Sequence, residues 1–312
     1  MSSPLPAPSR RRGVVLAAQN VALVIAAVAA FIVVIPGVAQ ADSPGWLVFC
    51  PYHHSATDDP IVFPGVPGAA HLHDFFGSTT VNATSTVGSM EASTTTCGDP
   101  GDTAGYWTPA LYSNGVKINP QGTSITGLRT RQEFYYRKVG TGPVTVPPEG
   151  FKMIAGTSTA TSKTGKYGTE IYWGCHDNST GKKLTPVNCT TGIITLHVQF
   201  PSCWDGVHLD TPDHKSHVAY PSSGVCPASN PVRIPRVIER FEYPLAPNGT
   251  ANGTALPAGQ ITLATLNPDG TKSSQGSVYG AHADWWQTWN QARFAQLVQN
   301  CLNAQINCGT FG

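Results

Sequence analysis

The sequence predicts a mostly β protein: a single jelly-roll-like β-sandwich with long loops and one C-terminal helix, stapled by disulfides. Three observations carry this. Short runs of alternating apolar and polar residues recur along the chain. Thirty-two glycines and 26 prolines in 312 residues leave little room for long helices. Eight cysteines, an even number, read as four disulfides in an exported chain.

The clearest strand is IITLHVQF, residues 193–200. Ile194, Leu196, Val198 and Phe200 fall on one face and Thr195, His197 and Gln199 on the other, the period of a half-buried strand. RQEFYYRKV (131–139), FKMIAG (151–156), TEIYWG (169–174) and QITLATL (260–266) read likewise, the last closed by the turn NPDG. One segment reads as a helix. Asp284 caps it with Gln287 three residues on, and Trp286, Trp289, Phe294, Leu297, Val298 and Cys301 follow near one stripe.

Residues 1–41 stand apart. Three arginines at 10–12 precede an apolar stretch interrupted at Gln19 and Asn20 and unbroken over 21–35. Pro36-Gly37 ends it, and Ala39-Gln40-Ala41 offers a cleavage site, so the segment reads as a signal peptide cut before Asp42. A membrane anchor needs about 20 unbroken apolar residues, more than this core supplies. Arg11-Arg12-Gly13-Val14-Val15 also fits a loose twin-arginine pattern. Residues 42–312 carry no repeat and no dividing linker, and read as one domain. APNGTANGTALP (246–257) reads as an exposed loop, and Asn82, Asn178, Asn188, Asn248 and Asn252 open glycosylation sequons. Without the three leading arginines, 16 basic residues face 18 acidic ones. That balance gives no basic footprint for nucleic acid, and a cleaved chain keeps no membrane segment. Nearness in sequence pairs Cys175 with Cys189, Cys203 with Cys226 and Cys301 with Cys308. Cys50 and Cys97 remain. This is one pairing of many that eight cysteines allow. A zinc–thiolate site is a poor fit, because no Cys-x-x-Cys pair exists.

Polar residues crowd in three places. In AAHLHDFFG (69–77), an extended backbone points His71 and His73 the same way, and Asp74 is a ligand or an orienting neighbour. In LDTPDHKSHVAYP (209–221), Asp210, Asp213, His214, Lys215, His217 and Tyr220 lie within eleven residues. In GAHADWW (280–286), His282 and Asp284 stand at the expected helix start. Each place also has a purely structural reading: a surface histidine pair, aspartates satisfying turn amides, a helix cap. Taken together, two mechanisms arise. His71, His73 and one of His214, His217 or His282 could bind one divalent metal ion; His282 completes the preferred set. Alternatively, Asp74 with Asp210 or Asp213 does acid–base work on a glycosidic bond, with histidine tuning. Lys215 and Tyr220 would serve proton abstraction in a lyase. Trp107, Trp204 with Asp205, and Trp285 flank these segments as candidate sugar platforms.

DPIVFPGVPGAAHLHDFFG, YWTPALY, FPSCWDGVHLDTPDHKSHVAYP with VCPASNPVRIP, and YGAHADWW together resemble the secreted family called domain of unknown function 1996. The likeness runs from about Asp59 to about Trp289. Its members are exported proteins of fungi and bacteria, some fungal ones carrying a WSC-type carbohydrate-binding module. The resemblance implies a cell-wall or polysaccharide partner; this chain lacks that module. Motif positions carried over are His71, His73, Trp107, Cys203, Trp204, Asp205, Asp210, Asp213, His214, Lys215, His217, Tyr220, Cys226 and His282. Three functions follow as expectations: a hydrolytic or lytic enzyme on a wall or biomass polysaccharide, a non-catalytic glycan-binding or wall protein, or a metal-dependent enzyme of another substrate class. A copper site built on the mature N-terminus is disfavoured, because cleavage leaves Asp42 there.

Overall fold

The period-two run at 193–200 forms the strand Ile193–Gln199, paired antiparallel with Arg236–Pro244 on one side and Ile171–Cys175 on the other. Ile194, Leu196 and Val198 are buried, as the alternation requires. The opposite face is covered too. His197 stacks at 4.6 Å on Tyr172 of the neighbouring strand. The strand is therefore buried on both faces rather than half-buried. It belongs to a six-stranded sheet in the order Asn307–Phe311, Gly45–Phe49, Glu133–Arg137, Arg236–Pro244, Ile193–Gln199, Ile171–Cys175, whose first pair is parallel.

The computed structural model describes residues 1–3, 44–245 and 251–312. The expected signal peptide lies almost wholly outside the described residues, as do Asn248 and the start of the 246–257 loop. Among the described residues no helix is long and apolar enough to cross a membrane.

A second sheet of five antiparallel strands runs Tyr52–Ala56, His73–Gly77, Gly105–Pro109, His282–Trp286, Lys152–Gly156. Alternate side chains leave its two faces. On the inner face, Tyr106 meets Phe134 at 4.3 Å, Phe76 meets Phe241 at 5.2 Å and Trp285 meets Tyr136 at 6.3 Å. Each pair joins one sheet to the other, so the two sheets face across a single aromatic core, a β-sandwich. The polar tips that buried aromatics bring are chained together. Trp289 Nε1 donates to Tyr136 Oη at 2.8 Å, Tyr136 and Tyr106 share a hydroxyl contact, and Tyr106 donates to the buried Asp102 carboxyl at 2.8 Å.

The helix starts later than the sequence reading had it. Asp284 lies in the strand His282–Trp286, and Asn290 caps the helix Gln291–Leu297 by accepting from Arg293 N. A wider π turn, Val298–Asn303, extends it. The cause is that Trp285 and Trp286 each have an apolar home on opposite faces of the sheet. Only an extended backbone points neighbours to opposite sides. Phe294, Leu297, Val298 and Cys301 are buried as the stripe predicted. All four expected disulfides are present: Cys50–Cys97, Cys175–Cys189, Cys203–Cys226 and Cys301–Cys308.

The outer face of the five-stranded sheet holds a second apolar cluster, with Ile61, Phe75, Val81, Met90, Trp107, Ile154 and Trp286. Residues 57–70 are laced over it. Asp58 Oδ1 accepts from Gly68 N at 2.8 Å and Oδ2 from Ala83 N at 3.2 Å. Asp59 Oδ1 accepts from Ile61 N at 3.0 Å and Val62 N at 2.9 Å. The candidate site lies beneath this covering.

Candidate functional site

His73 and His282 lie on the outer face of two strands of this sheet, and His71 immediately precedes the His73 strand. The strands place their rings together. Ring centres are 4.1 Å apart for His71–His73, 5.2 Å for His71–His282 and 5.8 Å for His73–His282. One ring nitrogen from each falls within 4.8 Å of the others. All three are buried, His73 completely. Gly156, paired with His282 in the edge strand, has φ +101°, and a Cβ there would come within 2.7 Å of His282 Cβ. Only glycine lets the edge strand lie this close.

The tautomers follow from the second hydrogen bond of each ring. His73 Nδ1 faces the Asp58 carbonyl at 3.0 Å and His282 Nδ1 faces the Gly280 carbonyl at 2.8 Å. A carbonyl only accepts, so both Nδ1 atoms carry the hydrogen. In the neutral rings Nε2 is then a bare lone pair. Burial keeps the rings neutral, with neighbouring imidazoles adding to it at His71 and His73 and the Lys215 charge at His282. His71 is lowered to about 3, His282 to about 4, and His73 lies well below its ordinary value. The Nε2 atoms of His71 and His73 have no hydrogen-bond partner among the described residues. Unpartnered buried lone pairs are costly. Three convergent imidazoles, two of them oriented by backbone carbonyls, are a donor set of the kind that can hold a transition-metal ion. The other group of ligand-type atoms, Cys50, Cys97 and Asp102, is a disulfide beside a carboxyl and offers no thiolate.

Acids gather around the triad. Asp284 is fully buried, its Oδ2 is 4.0 Å from His282 Nε2, and both its oxygens lack partners among the described residues. Burial and the nearby Asp59 hold its carboxyl well above the usual range, against the pull of Lys215. Burial lifts Asp59 to about 6, against two backbone amides and the charges of His214 and Lys152. Sequence reasoning missed Asp59 and Lys152 as site residues, and placed Asp284 beside His282 only as a helix cap. Asp284 was legible: in HADWW, His282, Asp284 and Trp286 alternate with Ala283 and Trp285, a strand signal.

Residues 209–217 dock along the edge strand Lys152–Gly156. Lys152 N donates to Leu209 O at 2.9 Å and Ile154 N to His214 O at 3.2 Å. His214 has φ +57°, a left-handed backbone that costs about 1 kcal/mol in a non-glycine residue, and its Nδ1 meets Asp210 at 2.9 Å. Lys215 Nζ donates to Gly156 O at 2.5 Å. His217, fully buried, joins Lys152 O at 2.7 Å and Thr211 Oγ1 at 2.9 Å.

Several expected roles are corrected by position. Asp74 is on the inner face, opposite to His73, bound by Ser55 Oγ at 2.6 Å and Lys117 Nζ at 2.8 Å, so it cannot assist the triad. Asp213 Oδ1 accepts from Thr211, Lys215 and Ser216, and these bonds, the Ser216 amide first, hold it well below the carboxylate range. It is a turn brace, not an acid. His217, with both nitrogens engaged, and Tyr220, whose hydroxyl donates to Gln199 O at 2.8 Å, are likewise tied down. Trp107 and Trp285 are completely buried, and Trp204 is 7 % exposed with Nε1 donating to His208 O. Their faces pack against protein, so none is a sugar platform. Asp205 caps the turn at 207–208 rather than facing the triad.

Fold and site together define a disulfide-stapled β-sandwich with a buried three-histidine centre on the outer face of one sheet. Over residues 59–289 the chain matches the family described as domain of unknown function (DUF1996), and it belongs to that family. The matched span begins at Asp59 and contains His71, His73, Lys215, His282 and Asp284. No curated protein and no solved structure matches it.

Proposed function

We propose that this chain is an exported, metal-dependent enzyme of hydrolytic or lytic type, acting on an extracellular polysaccharide. The observation that carries the metal is one ring nitrogen from each of His71, His73 and His282 within 4.8 Å of the others, with Nδ1 of His73 and of His282 held on backbone carbonyls. A divalent ion there would supply Lewis acidity toward a substrate oxygen or water. Asp284 stands beside His282 to accept or hand over a proton, or to complete the ligand set. Asp59, titrating near 6, is suited to acid–base exchange around neutral pH. Export is supported by the four disulfides and the leader read from the sequence. The polysaccharide rests on the setting of the family's other members; the buried tryptophans lend it nothing.

Elemental analysis of protein purified without a histidine tag, after loading with zinc, manganese or copper, tests this. We expect about one equivalent in the wild type and less than about a tenth in His73→Ala, with oligosaccharide release from a polysaccharide panel lost in parallel. A wild type that takes up none of the three metals overturns the reading. A second reading, a non-catalytic wall or glycan-binding protein, is favoured by the 209–217 loop, whose conspicuous polar residues brace the edge strand.

A further inference from the structure

A cavity of about 270 Å³ opens beside the histidine centre. Its wall includes Gly156, the cross-strand partner of His282, and Ala281, the residue before His282. Two lysines line it, Lys166 and Lys215, and none of its described lining residues is acidic. Lys166 Nζ lies 5.3 Å from the ring centre of Tyr220, and Lys215 Nζ is held on Gly156 O at 2.5 Å. Among the described residues neither ammonium has a carboxylate within 4.0 Å. The rest of the wall is largely apolar, with Ile154, Ile171, Pro201 and Val218 beside the rings of Tyr167, Tyr220 and Tyr279. Tyr167 and Tyr220 spend their hydroxyls on backbone carbonyls outside the cavity, and Tyr279 packs on Tyr167 at 5.1 Å.

We propose that this cavity is a subsite for one acidic sugar unit, its ring against the tyrosines and its anionic group between Lys166 and Lys215. The proposal rests on the reading of the histidine centre as the reactive end. Charge complementarity argues for it: two ammonium groups without a carboxylate within 4.0 Å among the described residues, in a partly apolar hollow, attract an oxyanion and give a neutral sugar no equivalent gain. The size fits as well, since about 270 Å³ lies below the roughly 300–1,000 Å³ of sites for larger ligands. Lys215 links the two places, because its charge acts on both His282 and Asp284. A uronate carboxylate and a sugar sulfate ester share this chemistry.

The test is calorimetric titration of the metal-loaded full chain with trigalacturonate, a sulfated galactose trisaccharide and cellotriose at low and high salt. An acidic trimer should bind at least about tenfold tighter than cellotriose, a difference of about 1.4 kcal/mol that shrinks with salt. Lys166→Gln should lose that preference and Lys166→Arg keep it, with metal content and melting temperature unchanged in both. Whichever acidic trimer binds more tightly names the anion. Equal affinity for acidic and neutral trimers, or full preference in a folded Lys166→Gln, overturns the subsite. A wild type that binds the acidic trimer through Lys166 but takes up no metal supports the subsite and sinks the metal centre instead.

Discussion

His282 Nε2 and Asp284 Oδ2 stand 4.0 Å apart, two residues along one strand and on the same face of the sheet. The pair is buried, and the carboxyl has no hydrogen-bond donor among the described residues. Such a group costs the protein stability, and under the proposed metal reading it serves the loaded form. Asp284→Leu should therefore raise the melting temperature of metal-free protein, corresponding to about 1–3 kcal/mol of desolvation removed. It should also weaken metal affinity by about 10- to 100-fold. Thermal melts in chelator, set beside competitive chelator titrations, check both halves; a variant that gains stability and keeps full affinity removes Asp284 from the metal's surroundings.

The histidines set the acid limit. In the unfolded chain they bind protons near 6.5; in the fold His282 does so only near 4 and His71 near 3. The unfolded state thus holds more protons between these values, and stability falls as pH drops below about 6.5. For His282 alone the loss by pH 4 is on the order of 3 kcal/mol. His282→Leu should make the stability curve of metal-free protein shallower across that window, with His71 and His73 still contributing, as chemical denaturation at stepped pH would reveal. Metal uptake by the folded protein should decline only from about pH 4 downward, where protons begin to compete for the same lone pairs.

Asp59 has the opposite sign. Its carboxyl binds a proton up to about pH 6 in the fold and only to about 3.8 when unfolded. Its contribution is therefore favourable in acid and is lost as pH rises from about 4 through 6. Asp59→Asn retains an oxygen for the amides of Ile61 and Val62, so it should match the wild type near pH 4. Above pH 6 it should exceed it by on the order of 2–3 kcal/mol. A constant difference at all pH values would show that the carboxyl does not titrate in that window.

The sequence made the sheets legible because their alternation is local, as at Ile194, Leu196 and Val198. It also made the disulfides legible, because each lies between cysteines that the chain order leaves as neighbours. His71 and His73 were legible as a same-face pair. What the sequence hid depends on which face looks where. Asp74 follows His73 directly, and in a strand that single step carries it through the sheet to Lys117. Trp107 and Trp285 looked like platforms because flanking polar residues resemble a cleft, yet Trp107 is sealed in the outer-face cluster and Trp285 between the two sheets, which no local pattern reports. Asp59 gained its role only when residues 57–70 folded over the outer face.

His217 offers the sharpest separation between bracing and chemistry. Its Nε2 donates to Lys152 O and its Nδ1 meets Thr211 Oγ1, so one ring ties the 209–217 loop to the edge strand. Phe151 packs on it at 5.2 Å. The loop is also anchored by Cys203–Cys226, whose 23-residue separation makes it a long closure. His217→Ala leaves a buried carbonyl without its donor and opens a void, a loss of about 2–4 kcal/mol. For a domain of this size that is a drop of roughly 4–16 °C in melting temperature. Metal stoichiometry should stay at the wild-type value in the folded variant, because neither ring nitrogen faces the triad. His217→Gln, which can still donate to Lys152 O, should recover part of the stability. A variant that melts like the wild type but loses turnover would reverse the assignment and return His217 to the reaction.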